Sequence, residues 1–316
     1  MAARTPRASL LAARDEIAKV VVGQQGVVSG LLAALLVNGH VLVEGVPGVG
    51  KTLVVKTLAA ALRLDAGRIQ CTPDLLPSDI TGQVILEEGR RGLTFRPGPI
   101  FTNVLLADEI NRTPPRTQSA LLEGMEERQV TVEGTTHRLP EPFLVVATRN
   151  PIEFEGTYPL PEAQLDRFLF SLQVPYPTED DEEAIVAQHD AGFDPHDLSR
   201  VRQVVTAAAL GRARAEVDAL RVDPEVRKYI VRLGRATRTE PSVLLGVSPR
   251  GASMLLHAAK AWAWLAGREF VTPDEVKQVA PAVFRHRILL RPDALIEGAT
   301  VDAVLNRLLA DVPVPR

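Results

Sequence analysis

Short apolar runs punctuate the first half of the chain. Residues 41–43, 68–71, 104–107, 143–148 and 168–174 are rich in apolar side chains on both faces, the pattern of strands buried in a parallel sheet that helices cover. Stretches with helical spacing separate several of them, notably 52–62 and 113–128; the second has Thr113 placed to cap and Pro114 at the first helical position. Strands alternating with helices predict an α/β architecture. Two helical runs come before the first strand. One has an apolar face of Leu10, Leu11, Ile17, Val20 and Val21, and the other, 27–37, stops at Asn38-Gly39. Hairpin patterns interrupt the alternation at 83–95, turning around Gly89 to Gly92, and at 129–139, turning near Gly134.

Beyond Pro175-Tyr176-Pro177 the pattern becomes helical. Thr178 precedes Glu179, Asp180, Asp181, Glu182 and Glu183, a capped helix start whose acids favour the positive end of the helix dipole. Ser248-Pro249-Arg250 and Thr272-Pro273-Asp274-Glu275 read as two further helix starts. The expected organisation is an α/β core over 1–176, with a short polar tail at its start, and an all-α domain over 177–316.

Composition narrows the function classes. With 46% hydrophobic residues among 316, a substantial core can form, and a net charge of −3 weighs against a protein built to coat nucleic acid. A single cysteine, Cys71, excludes an internal disulfide and fits a reducing compartment. No run approaches the ~20 apolar residues of a membrane helix. The expectation is a cytoplasmic protein with no membrane contact.

The most specific chemistry lies at Gly45-Val46-Pro47-Gly48-Val49-Gly50-Lys51-Thr52, which matches G-x-x-x-x-G-K-[ST] between a strand and a helix. Glycines let successive N–H groups face phosphates, the following helix (52–62, with Leu53 in its first turn) adds its dipole, Lys51 meets the β- and γ-phosphates and Thr52 offers a hydroxyl to Mg²⁺. The apolar strand 104–107 ends in Asp108-Glu109. Asp108 suits Mg²⁺, and Glu109 suits the orientation of an attacking water. ATP and Mg²⁺ are the implied ligands. Asn150, at the tip of another strand, is placed to bond the γ-phosphate or the water, although an Asn-Pro turn reads equally well from position alone. Arg167, in Leu165-Asp166-Arg167-Phe168, could serve a neighbour's nucleotide or form a surface pair with an acid. Arg250 sits in a first helical turn, where a cation opposes the dipole.

Together these residues resemble an AAA+ ATPase of the MoxR family, over roughly residue 16 to the C-terminus. Thr72-Pro73-Asp74-Leu75-Leu76-Pro77-Ser78-Asp79, Asp108-Glu109-Ile110-Asn111-Arg112 and Gly156-Thr157-Tyr158-Pro159-Leu160-Pro161-Glu162-Ala163-Gln164-Leu165-Asp166-Arg167-Phe168 carry the resemblance beside the P-loop. It implies a C-terminal helical lid, with Asn150 as sensor 1, Arg167 as arginine finger and Arg250 as sensor 2. It also implies that the two hairpins are the inserts of this clade. It further implies a hexameric ring and chaperone-like remodelling of a client protein, often with a von Willebrand factor A domain partner. A magnesium-chelatase ATPase subunit and a DNA translocase are the alternatives. Cys71 stands where relatives tend to carry a bulky aromatic residue, and it reads as a small core residue. Of Trp262 and Trp264, at least one is expected in the lid core. Arg285-His286-Arg287 reads as a basic lid surface, and Arg90-Arg91 as a charged hairpin tip.

Overall fold

In the computed structural model the described residues are 4–86, 93–150, 157–195 and 197–315. Helices α1 (Pro6–Ala18) and α2 (Gln25–Leu36) lead into β1 (Val41–Gly45), α3 (Lys51–Leu62), β2 (Ala66–Gln70) and α4 (Pro77–Thr81). The hairpin β3 (Gly82–Leu86)–β4 (Leu93–Pro97) follows, then β5 (Val104–Asp108), a 3₁₀ turn (Ile110–Arg112), α5 (Pro115–Glu127) and the hairpin β6 (Gln129–Val132)–β7 (Thr135–Arg138). Next come β8 (Leu144–Arg149), α6 (Glu162–Leu165), β9 (Phe170–Val174) and α7 (Glu179–Asp190). The remainder is helical apart from two- and three-residue strands: α8 (Ala207–Ala219), β10 (Arg221–Val222), α9 (Pro224–Thr239), β11 (Val243–Leu245), α10 (Pro249–Leu265), β12 (Phe270–Val271), α11 (Pro273–Phe284), β13 (Leu289–Leu290), α12 (Pro292–Ile296) and α13 (Val301–Asp311). The turn expected around Gly89 to Gly92, with Arg90-Arg91 at its tip, and the motif positions Pro151 and Gly156 lie outside the described residues.

The main sheet is parallel, in the order β2-β5-β8-β1-β9. Its strands alternate between two cores, as side-chain direction along a strand requires. Leu42, Leu105, Ala107, Val145 and Ala147 face a cluster with Leu121, Leu122, Met125 and Phe168. Val41, Val43, Val104, Leu106, Leu144 and Val146 face a second cluster that runs without a break through α1 and α2 to Leu233, Leu255 and Phe284 of the C-terminal helices. Both faces of the central strands are therefore dry, which explains the near-continuous apolar runs. At the sheet edge, by contrast, β2 leaves Ala66, Arg68 and Gln70 exposed, so the run expected to be buried at 68–71 is buried only at Ile69 and Cys71.

Three predicted caps form as expected. Thr178, Ser248 and Thr272 accept from the backbone N–H groups of Asp181, Gly251 and Asp274, and Glu275 completes a capping box with Thr272. One start is displaced by a residue: α5 begins at Pro115 with Pro114 as its extended N-cap, because Thr113 already closes the preceding 3₁₀ turn. Trp264 is buried and donates through Nε1 to Glu216 at 2.9 Å. The expected basic surface at 285–287 is not one. Arg287 is 6% exposed, and beside it burial and that cation hold His286 well below the usual histidine range.

Candidate functional site

Sheet order decides what meets at the strand tips. β8 separates β1 from β5, so the P-loop after β1 and the acids after β5 flank the end of β8. Gly48 and Gly50 adopt φ of +85° and +76°, a region only glycine enters freely. Gly50 is left-handed just before the helix, and the space a Gly48 side chain would enter is open. Lys51 folds along the loop and donates to the Gly45 carbonyl at 2.5 Å and the Val46 carbonyl at 3.3 Å.

Asp108 is 7% exposed and is engaged on both oxygens. Oδ1 accepts from the Thr148 hydroxyl at 3.1 Å; Oδ2 accepts from Arg68 Nε at 2.8 Å and from Thr52 Oγ1 at 3.4 Å. Glu109 follows in a left-handed conformation, φ +59° and ψ +51°, at a strain of about 1–2 kcal/mol for a non-glycine residue. The surroundings hold it there. Its N–H donates to Thr148 Oγ1 at 2.9 Å, and its carboxylate meets Arg112 Nε at 3.1 Å and Gln70 Nε2 at 3.4 Å. Thr148 therefore bridges the two acids, a role nothing in its surroundings along the chain signalled. Asn150 is buried immediately beyond the tip of β8.

A cavity of about 450 Å³ opens beside Pro47, Gly48, Val49, Gly50 and Leu53. Its other walls are Val20–Val22 with Gln24, Tyr176-Pro177 and one face of α7 carrying Glu182, Ile185, Val186 and His189. Gln24 donates its amide to the Val49 carbonyl and ties this wall to the loop. None of these wall residues was legible as site-forming, because the fold alone brings the segment at 20–24 and the segment from Tyr176 through α7 to the loop.

The donor chemistry fits a magnesium nucleotide. Thr52 and Asp108 carry hard oxygen donors 3.4 Å apart. That matches Mg²⁺, which takes one or two protein oxygens and completes its shell with phosphates and water.

The two arginines assemble elsewhere. Arg167 donates to the Leu122 carbonyl at 2.7 Å and approaches Glu126 at 3.8 Å, while Arg250 pairs with the same Glu126 at 2.6 Å. The Arg250 guanidinium holds the Glu126 carboxyl below the usual carboxylate range. Neither arginine lines the cavity beside the P-loop. Cys71 is 1% exposed, and burial pushes its thiol up to about 11, which makes it an inert core residue.

Residues 40–170 match the ATPase family associated with various cellular activities (AAA), and residues 235–308 match the AAA lid domain. The chain is 47% identical to the uncharacterized protein YeaC of Bacillus subtilis, over 95% of this chain and 93% of that one. It is 43% identical to Chaperone MoxR1 of Mycobacterium tuberculosis, over 95% and 81%. The chain belongs to the MoxR family of AAA+ ATPases. A crystal structure of a candidate ATPase from Cytophaga hutchinsonii shares the fold at a TM-score of 0.91 and 40% identity, covering 98% of this chain and 96% of that one. More distantly, the magnesium-chelatase 38 kDa subunit of Acidiphilium rubrum is 28% identical over 94% of this chain and 98% of that one. As a MoxR-family member the protein is an ATPase, with a P-loop core and a helical lid. No helix among the described residues is long and apolar enough to cross a membrane.

Proposed function

We propose that the chain hydrolyses Mg-ATP at a site shared between neighbouring copies in a ring, and that this work remodels a partner protein. The gathering of Arg167 and Arg250 on Glu126, away from the chain's own P-loop cavity, carries the reading. Two cations on one face are available to a second copy's phosphates, where an arginine stabilises the charge of the transferring phosphoryl group. We take 1–176 as the nucleotide-binding core and 177–316 as the lid, a hexamer as the ring, and the cytoplasm as the compartment. The name Chaperone MoxR1 supports a client protein, and the family resemblance supports a von Willebrand factor A domain partner.

In this mechanism the backbone N–H groups of Gly48, Val49 and Gly50 and the Lys51 ammonium bind the phosphates, Lys51 exchanging its carbonyl partners for phosphate oxygens. Thr52 and Asp108 would hold Mg²⁺, which would supply charge neutralisation for the phosphates. Glu109, fixed by Thr148, orients water and takes its proton. Asn150 positions that water or the γ-phosphate. Val20–Val22 and the α7 face receive the base.

The test is steady-state ATP hydrolysis across protein concentrations for the wild type, Glu109→Gln and Arg167→Ala. The expected result is wild-type turnover per subunit that rises with concentration, and losses of about 100-fold or more in both variants with ATP binding retained. Normal turnover in Arg167→Ala would remove the shared-site assignment.

A further inference from the structure

The lid carries a groove that the site above does not use. It lies between α9 and α10, encloses about 410 Å³ and has Ile230, Val231, Ala252 and Leu256 among its apolar lining. Arg227, Arg235 and Arg238 stand along its α9 side. Spacings of eight and three residues place them in one stripe, about 16 Å long at the helical rise of ~1.5 Å per residue. All three are exposed, Val231 between them is 53% exposed, and among the described residues none of the three has an acidic partner. Arg238 donates only to the Val247 carbonyl, at 2.8 Å.

The same chain carries a complementary surface. Helix α7 has no buried residue. One face lines the nucleotide cavity, and the opposite stripe is Asp180, Glu183, Ala184, Ala187 and Asp190, all exposed. Taken antiparallel, Asp190, Glu183 and Asp180 are separated by seven and three residues, against eight and three for Arg227, Arg235 and Arg238. The acidic row is about 15 Å long, so each carboxylate falls within about one helical rise of a guanidinium. The two alanines between them leave room for close approach to the apolar lining, since side-chain size at the contact sets helix separation.

Both stripes are exposed, so they do not meet within one chain. They would meet between chains. Pro249 and Ala252 of the groove flank Arg250, and α7 walls the cavity that a neighbour's Arg250 would reach. We infer that the α9–α10 groove receives the acidic outer face of α7 from the adjacent copy, pairing Arg227 with Asp190, Arg235 with Glu183 and Arg238 with Asp180. This rests on the shared-site ring proposed above.

The test is sedimentation of the full chain with Mg²⁺ and a non-hydrolysable ATP analogue, for the wild type, Glu183→Arg, Arg235→Glu and the double variant. Each single reversal is expected to raise the concentration for half-assembly about tenfold, and the double to return within about threefold of wild type. Melting temperatures taken without nucleotide, at concentrations where the wild type is unassembled, should match throughout, because both residues are exposed. Single variants that assemble like the wild type would overturn the groove contact and leave the ring standing. Singles that weaken without recovery in the double would overturn α7 as occupant. A wild type that stays monomeric would overturn the ring itself.

Discussion

Asp166 accepts a 2.7 Å ion-paired hydrogen bond from Arg287, a lid residue 6% exposed, and a second, of 2.9 Å, from the Ser248 hydroxyl that caps α10. Arg287 also donates to the backbone carbonyls of Asp166 at 3.1 Å and Phe168 at 2.5 Å. Burial lowers the Arg287 pKa to about 10, so it stays charged near neutrality and depends on this carboxylate. The carboxylate thus fixes the segment before Arg167 and the helix start that carries Arg250.

Removing it should act twice. Asp166→Ala leaves a buried charge uncompensated and should lower stability by about 3–5 kcal/mol in denaturant unfolding. Turnover should fall at unchanged ATP affinity, because the two arginines lose their common anchor. Asp166→Ala combined with Arg287→Met should recover much of the stability and none of the turnover.

Thr148 offers a narrower probe. Thr148→Val removes the hydroxyl that bridges Asp108 and the Glu109 N–H, and should lower kcat about 10- to 100-fold with KM for ATP little changed. Thr148→Ser keeps the bridge and should stay near wild type. Steady-state kinetics on the two variants separates positioning of Glu109 from nucleotide binding.

Arg68 lies 2.8 Å from the Asp108 oxygen that also faces Thr52, and its side chain is 50% exposed. In the proposed mechanism it would compete with Mg²⁺ for that oxygen. Arg68→Ala should lower the Mg²⁺ concentration for half-maximal hydrolysis about threefold, the scale of an exposed ion pair. Magnesium titration of both proteins checks this.

His40 gives the fold an acid-sensitive point. Its Nδ1 accepts from the Val145 N–H at 3.0 Å, Nε2 meets the Met125 carbonyl at 3.1 Å, and burial holds its pKa down at about 4. The unfolded chain protonates this ring near 6.5, so its contribution is complete above that pH and fades as pH falls toward 4. Unfolding free energy should be about 2 kcal/mol lower at pH 5 than at pH 7, and His40→Asn should flatten the difference. Glu16, held down at about 2 chiefly by Arg202 and then Lys19, keeps its contribution above about pH 4.5 and acts in a separate, more acidic window.

Much of this site was legible because its chemistry is local. The P-loop is one continuous segment, and Asp108-Glu109 closes one strand, so spacing alone displayed them. Arg287 was misread for the opposite reason: flanked by Arg285 and His286 it looks like surface, and only tertiary packing brings Asp166 to it. Thr148 and Arg68 are unremarkable along the chain and become site residues through strand register. The cavity walls at Val20–Val22 and at Tyr176 with α7 come from two segments more than 150 residues apart. The displaced start of α5 is a smaller instance, where one turn's end pre-empted the next helix's cap.

Glu126 has a consequence for how an unassembled subunit behaves. Its single carboxylate engages both arginines, so one of their two charges is already matched in an isolated copy. Docking against a neighbour's nucleotide would then be an exchange of one anion for another, with little new desolvation. Such a swap has a small free-energy span in either direction. In the proposed ring it would reverse on every turnover, and a lone subunit would idle without spending nucleotide.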